Sequence, residues 1–213
     1  MKNLFSESMR QEIAASRAIA TVTIENTESA KPLAEALLDG GIRCIEITLR
    51  TPAALESMQI VAQAFPEMQV MAGTVIAPEQ VKAVQDAGAV CAVAPGTNRK
   101  VIEAALDANL PFAPGIATPS EIETALEYDC DILKLFPAEP LGGLSYLKNM
   151  QTPYAHLGIQ FIPLGGLNAE NAEAYLKEAF ILAVGGSWIA KTFAIEAGDW
   201  AGITAGAAAI TSR

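Results

Sequence analysis

The stretch Asp39-Gly40-Gly41-Ile42-Arg43-Cys44-Ile45-Glu46-Ile47-Thr48-Leu49-Arg50 decides how the chain folds. Its opening Asp-Gly-Gly marks a helix end, because glycine accepts the left-handed backbone that closes a helix, and an apolar strand follows at once over residues 42–48. The same punctuation returns at Asp86-Ala87-Gly88 and Asp107-Ala108-Asn109, each directly ahead of another apolar run. Eight such runs occur, at residues 19–24, 42–48, 69–73, 89–94, 110–114, 131–136, 159–164 and 180–184. Most are near-continuous and not alternating, which is the pattern of a parallel sheet covered on both faces.

Helix signals lie between the runs. Thr118-Pro119-Ser120-Glu121 reads as a capped start, with Thr118 as the cap, Pro119 at the first helical position and Glu121 completing a capping box. Asn168 and Asp199 are candidate caps for two more helices. Eight βα units with no dinucleotide fingerprint after the first strand predict an α/β fold of the (β/α)8 TIM-barrel type, not a doubly wound sheet. Residues 1–213 read as one such barrel domain, with residues 1–17 as an N-terminal helical segment. No linker, low-complexity tract or charge block marks a second domain.

At 213 residues, 51% hydrophobic and 18% charged, the chain is long enough for one sizeable core. Its 14 Lys plus Arg against 24 Asp plus Glu give a net charge of −10, which repels nucleic acid and anionic membranes. An anionic small-molecule ligand therefore requires a local positive pocket. Cys44, Cys91 and Cys130 are too scattered for a disulfide framework or a zinc knuckle and read as buried thiols of a cytoplasmic protein. Charges interrupt the N-terminal apolar residues, and no segment reaches the ~18 apolar residues of a membrane span. A multi-His metal site cannot be built from one histidine, His156, which reads as a surface residue. Catalysis is expected to run on Lys, Glu, Arg or Ser, with no metal and no cofactor.

In such a barrel the reactive groups sit where strands end and loops begin. Glu46 places a carboxylate inside an apolar strand, with Arg50 four residues on in the loop, and Leu133-Lys134-Leu135-Phe136-Pro137 does the same with an amine. An amine among apolar side chains is costly to leave charged and unpaired, and the free amine is the form that attacks a carbonyl to make an imine. From spacing alone Glu46 and Lys134 read either as this chemistry or as a buried ion pair tying two strands. Leu164-Gly165-Gly166 and Val184-Gly185-Gly186-Ser187 close the last two runs, where barrels of this type bind phosphate through backbone N–H groups. Thr74 and Pro95 close the third and fourth runs; Thr74 reads as a carboxylate ligand or as a helix cap. Ser187 has no base beside it and reads as a phosphate donor; Trp188 reads as a packing residue.

These segments resemble the 2-keto-3-deoxy-6-phosphogluconate aldolase family, also described as 4-hydroxy-2-oxoglutarate aldolase. The residues that carry the resemblance are Glu46 with Thr48-Leu49-Arg50-Thr51-Pro52, Ala72-Gly73-Thr74-Val75, Ala94-Pro95-Gly96 and Pro114-Gly115 with Thr118-Pro119-Ser120-Glu121. To these are added Lys134 with Phe136-Pro137-Ala138-Glu139, Pro163 with Gly165-Gly166, and Gly185-Gly186-Ser187-Trp188. The match runs in order from about Thr21 to Ile203. It implies a metal-free, homotrimeric barrel enzyme of bacterial sugar-acid catabolism that splits its substrate to pyruvate and glyceraldehyde 3-phosphate. Lys134 matches the Schiff-base lysine and Glu46 the general acid/base; Arg50 and Thr74 match the carboxylate ligands, and Pro95 and Phe136 the pocket lining. Gly165, Gly166, Gly185 and Ser187 match the phosphate end. Leu164 departs from the usual Thr, Ala94 from the usual Ser, and Ile19-Ala20-Thr21 lacks a common Pro.

Other readings keep the pocket and change the use. The substrate becomes 4-hydroxy-2-oxoglutarate or 2-keto-3-deoxy-6-phosphogalactonate, or the barrel becomes a phosphate-binding isomerase with Glu46 as base. A non-catalytic binding barrel leaves Glu46, Arg50 and Lys134 without a purpose that offsets their burial.

Overall fold

The computed structural model describes residues 4–212. Among them the chain runs α1 (Glu7–Ser16), β1 (Ala18–Val22), α2 (Ala30–Asp39), β2 (Cys44–Thr48), α3 (Ala54–Ala64), β3 (Gln69–Gly73) and α4 (Pro78–Asp86). It continues through β4 (Cys91–Val93), α5 (Arg99–Asp107), β5 (Phe112–Ala113), β6 (Gly115–Ile116), α6 (Pro119–Leu126), β7 (Ile132–Leu135) and α7 (Gly143–Gln151). The last elements are β8 (Gln160–Pro163), α8 (Ala172–Leu176), β9 (Val184–Gly186), α9 (Thr192–Glu196) and α10 (Trp200–Thr211).

The three helix ends read from sequence are real ends: α2, α4 and α5 stop at Asp39, Asp86 and Asp107, and Gly41, Gly88 and Asn109 follow with positive φ of 84°, 90° and 53°. Thr118 accepts from Glu121 N at the start of α6, and Asp199 accepts from Gly202 N at 3.0 Å at the start of α10. Asn168 caps the turn ahead of α8 and not the helix itself; it accepts from Glu170 N and Asn171 N at 2.9 and 3.1 Å.

All strand pairs are parallel and fall into two ladders, ordered β5-β4-β3-β2-β1-β9 and β6-β7-β8. Single bridges, Phe161 to Ile181 and Leu164 to Gly185, link the β8 segment to the chain leading into β9. Of the eight-unit barrel read from sequence, the structure shows a curled parallel sheet in these two ladders. Its fifth strand, read at 110–114, shortens to β5, and a separate β6 follows Pro114, which has no N–H to give a neighbour and whose carbonyl accepts from Lys134 N at 2.9 Å. Its eighth strand moves from 180–184 to Val184–Gly186, where Ala18–Ala20 of β1 pair with it.

The sheet curls because its inner face has its own core. Ile19, Cys44, Met71, Cys91, Ala113, Ile132 and Ile162, from seven different strands, meet in one buried cluster that Phe5 and Ile13 join from the N-terminal segment. A separate cluster lies between the sheet and the helices. Side chains alternate along a strand, so the inner line two residues further on carries Thr21 after Ile19, Glu46 after Cys44 and Lys134 after Ile132. The interior is thus apolar below and polar at the C-terminal ends of the strands. His156 is exposed in a 3₁₀ turn ahead of β8, at the opposite end. Among the described residues no helix is long and apolar enough to cross a membrane.

The three cysteines are free and buried. Burial pushes the Cys44 and Cys130 thiols up to about 12, and Cys91 well above the usual thiol range. Held as thiols, they lack the thiolate that reacts. Ellman's reagent is therefore expected to titrate no thiol in the native protein and all three after denaturation; rapid reaction in the native state contradicts this packing.

Candidate active site

Lys134 Nζ donates to Glu46 Oε1 at 3.0 Å, with the two residues only 5% and 2% exposed. β2 and β7 belong to different ladders, so this pair spans the interior where no backbone hydrogen bonds do. Two buried charges are tolerable only with close geometry and further partners. Thr21 supplies one, donating to Glu46 Oε2 at 3.4 Å. Phe136, next on the inner line after Lys134, holds its ring centroid 5.6 Å from Nζ.

Glu46 fits because β3 ends in glycine. A Cβ on Gly73 sits 2.3 Å from Glu46 Oε1 and 2.7 Å from its Cγ, so any side chain at this position displaces the carboxylate. Thr74, directly after it, adopts φ 61°, a left-handed conformation that a β-branched residue takes at a cost of order 1–3 kcal/mol.

Above the pair opens a cavity of about 280 Å³. Of the residues read from sequence, Lys134, Arg50, Phe136, Gly165, Gly166 and Ser187 line it. Arg50 is exposed at the mouth, and no carboxylate among the described residues pairs with its guanidinium. Glu46 lies behind the wall, against Lys134. Thr74 and Pro95 end their strands at the same mouth without lining this cavity, and Gly185 lies beneath it. A Cβ on Gly185 sits 2.6 Å from Leu164 Cγ, so this glycine seats Leu164, and Gly186 reaches the cavity instead. Trp188 packs its ring against Gly186.

The Gly165-Gly166 turn is fixed from below. Both glycines have positive φ, 95° and 85°, and Glu139 N donates to Gly165 O at 2.9 Å. A Cβ on Gly166 sits 2.6 Å from Glu139 Cβ. Tyr175 OH donates to Glu139 Oε1 at 2.5 Å, and burial foremost, then this bond, raises the tyrosine's pKa so that it keeps the proton it gives.

Sequence reasoning missed Thr21 and Thr23, which line the cavity from β1 and the residue after it. The signal was there: Ile19, Thr21 and Thr23 share a face, and hydroxyls enter an apolar strand at its C-terminal end, as Glu46 and Lys134 do. Gly73→Ala is expected to leave the fold intact and, where Glu46 acts on a substrate, to lower turnover by about 10²-fold, the penalty for misplacing a reacting group by ~1 Å. Turnover within twofold of wild type contradicts the seating of Glu46 on Gly73.

The family model for KDPG and KHG aldolase matches residues 9–206. The 2-dehydro-3-deoxy-phosphogluconate aldolase of Treponema pallidum is 42% identical over 189 residues, 89% of each chain. The KHG/KDPG aldolase of Escherichia coli K12 is 38% identical over 87% of this chain and 86% of its own. A crystal structure of KDPG aldolase from Legionella pneumophila, with pyruvate captured as a covalent carbinolamine, superposes with a TM-score of 0.89 at 38% identity, covering 94% of this chain and 97% of that one. On sequence and on fold, this chain belongs to the KDPG and KHG aldolase family.

Proposed function

We infer that this chain is a class I, Schiff-base aldolase that cleaves 2-keto-3-deoxy-6-phosphogluconate to pyruvate and glyceraldehyde 3-phosphate, and 4-hydroxy-2-oxoglutarate to pyruvate and glyoxylate. The observation that carries this reading is the Lys134–Glu46 pair, 3.0 Å apart, whose lysine lines a cavity with Arg50 at its mouth.

Lys134 passes a proton to its neighbour and its amine attacks the C2 carbonyl of the substrate; loss of water leaves a protonated imine. Glu46 then takes the proton of the C4 hydroxyl through a water, the C3–C4 bond breaks, and its electrons move to the imine as an enamine while C4 leaves as an aldehyde. Protonation of C3 and hydrolysis release pyruvate and restore the amine. Phe136 keeps one side of the nitrogen dry.

We assign Arg50 to the carboxylate beside the reacting carbonyl, since its planar fork matches that group, and Thr74 to the same end. Pro95 belongs to the rim. Gly165, Gly166 and Ser187 serve the phosphate, with Gly186 taking the place expected of Gly185. The same reading closes the curled sheet into an eight-unit barrel through the β8–β9 bridges and places one such domain in a cytoplasmic homotrimer. Ile76 and Phe193, 54% and 68% exposed at the mouth end, offer apolar surface for that assembly.

Pyruvate release from either substrate, unchanged after prolonged chelation by EDTA, is the expected outcome; loss of activity restored by a divalent ion overturns the imine mechanism. Glu46→Gln is expected to cut turnover by about 10²-fold to 10⁴-fold. Unchanged turnover makes Glu46 a structural partner of Lys134 only.

A further inference from the structure

Thr48 Oγ1 carries one proton and donates it to the carbonyl of Val22 at 3.0 Å. Thr23 Oγ1 lies 3.1 Å from the same Thr48 oxygen. Both contacts are hydrogen bonds only if Thr23 donates to Thr48, because the carbonyl cannot donate. The proton of Thr23 is therefore committed inside the protein, and what its hydroxyl offers the cavity is lone pairs. Thr21 is in the same condition, its proton given to the Glu46 carboxylate.

The wall formed by β1 thus accepts hydrogen bonds and does not give them. Its two hydroxyls are ordered along the strand: Thr21 is level with Glu46 in the β1–β2 register, and Thr23 lies two residues nearer the mouth. Leu164, which also lines the cavity, brings no donor.

We propose that Thr23 is a specificity-determining residue, an acceptor for a hydroxyl on the substrate carbon just beyond the bond that breaks. This rests on the aldolase reading above, which sets C4 at Glu46 and so C5 at the next level outward. The 2-keto-3-deoxy sugar acids carry a hydroxyl at C5, which donates to Thr23. In 4-hydroxy-2-oxoglutarate C5 is a carboxylate, which has only acceptors and meets the lone pairs of Thr23 unfavourably. The committed Thr23 proton therefore biases the pocket toward polyhydroxylated 2-keto-3-deoxy acids, independently of any phosphate.

The test uses unphosphorylated 2-keto-3-deoxygluconate and 4-hydroxy-2-oxoglutarate, so that phosphate contributes nothing, and reads the ratio of their kcat/KM values. Thr23→Val is expected to lower the sugar-acid to oxoglutarate ratio by about fivefold to tenfold, as for a lost neutral hydrogen bond, and Thr23→Ser to restore it. Thr48→Val frees the Thr23 proton to donate, so the efficiency toward 4-hydroxy-2-oxoglutarate should rise relative to the sugar acid, a gain that mere loosening of the fold does not produce. A ratio unmoved by Thr23→Val, or lowered alike by Val and Ser, overturns the proposal; so does a Thr48→Val protein with the wild-type ratio. If the wild type releases pyruvate from no keto acid, with or without phosphate, the aldolase reading itself fails, an outcome distinct from wild-type cleavage with an unmoved ratio.

Discussion

A carboxylate and an amine held 3.0 Å apart inside an otherwise apolar sheet constrain everything around them. The desolvation that such a pair costs is offset only if each group stays in place, and the neighbouring structure is arranged to that end. Gly73 leaves room for the Glu46 carboxylate and Thr21 bonds its second oxygen. The backbone of Lys134 is tied on one side to Pro114 through its N–H, and β7 continues into Phe136, whose ring flanks the amine. The pair lies two residues above the inner apolar cluster, which shields it from solvent entering at the opposite end.

The loops show the same economy of parts. Glycines at the mouth do different work according to what lies beneath them: Gly165 and Gly166 adopt backbone that other residues resist, Gly185 makes room for Leu164, and Gly186 accepts the Trp188 ring. The Glu139–Tyr175 bond fastens the loop after β7 to the helix after β8, so the glycine turn is braced by the segment that also carries Lys134. Movement of either loop therefore disturbs the other.

How much of this was legible in the sequence depended on whether the cause was local. Helix ends at Asp39, Asp86 and Asp107 were readable because the glycine or asparagine that follows each carries its own backbone preference. Glu46 and Lys134 were readable because a charge in an apolar strand is conspicuous. The end of the fifth strand was visible, since Pro114 closes the run read at 110–114, but only the neighbouring ladders show that a further strand follows it and pairs with different partners. The exchange of Gly185 for Gly186 at the cavity was not legible, because it turns on where the Leu164 side chain rests. Neither was the state of the Thr23 proton, which is set by Thr48, 25 residues away, and by the carbonyl of Val22.

Covalent capture addresses the role of Lys134 most directly. The protein is incubated with pyruvate and borohydride, digested, and the peptides are mapped by mass. A reduced pyruvyl adduct confined to Lys134 is the predicted result. An adduct at Lys148 or Lys177, or none at all in a protein that cleaves substrate, contradicts the assignment of the buried amine as the group that forms the imine.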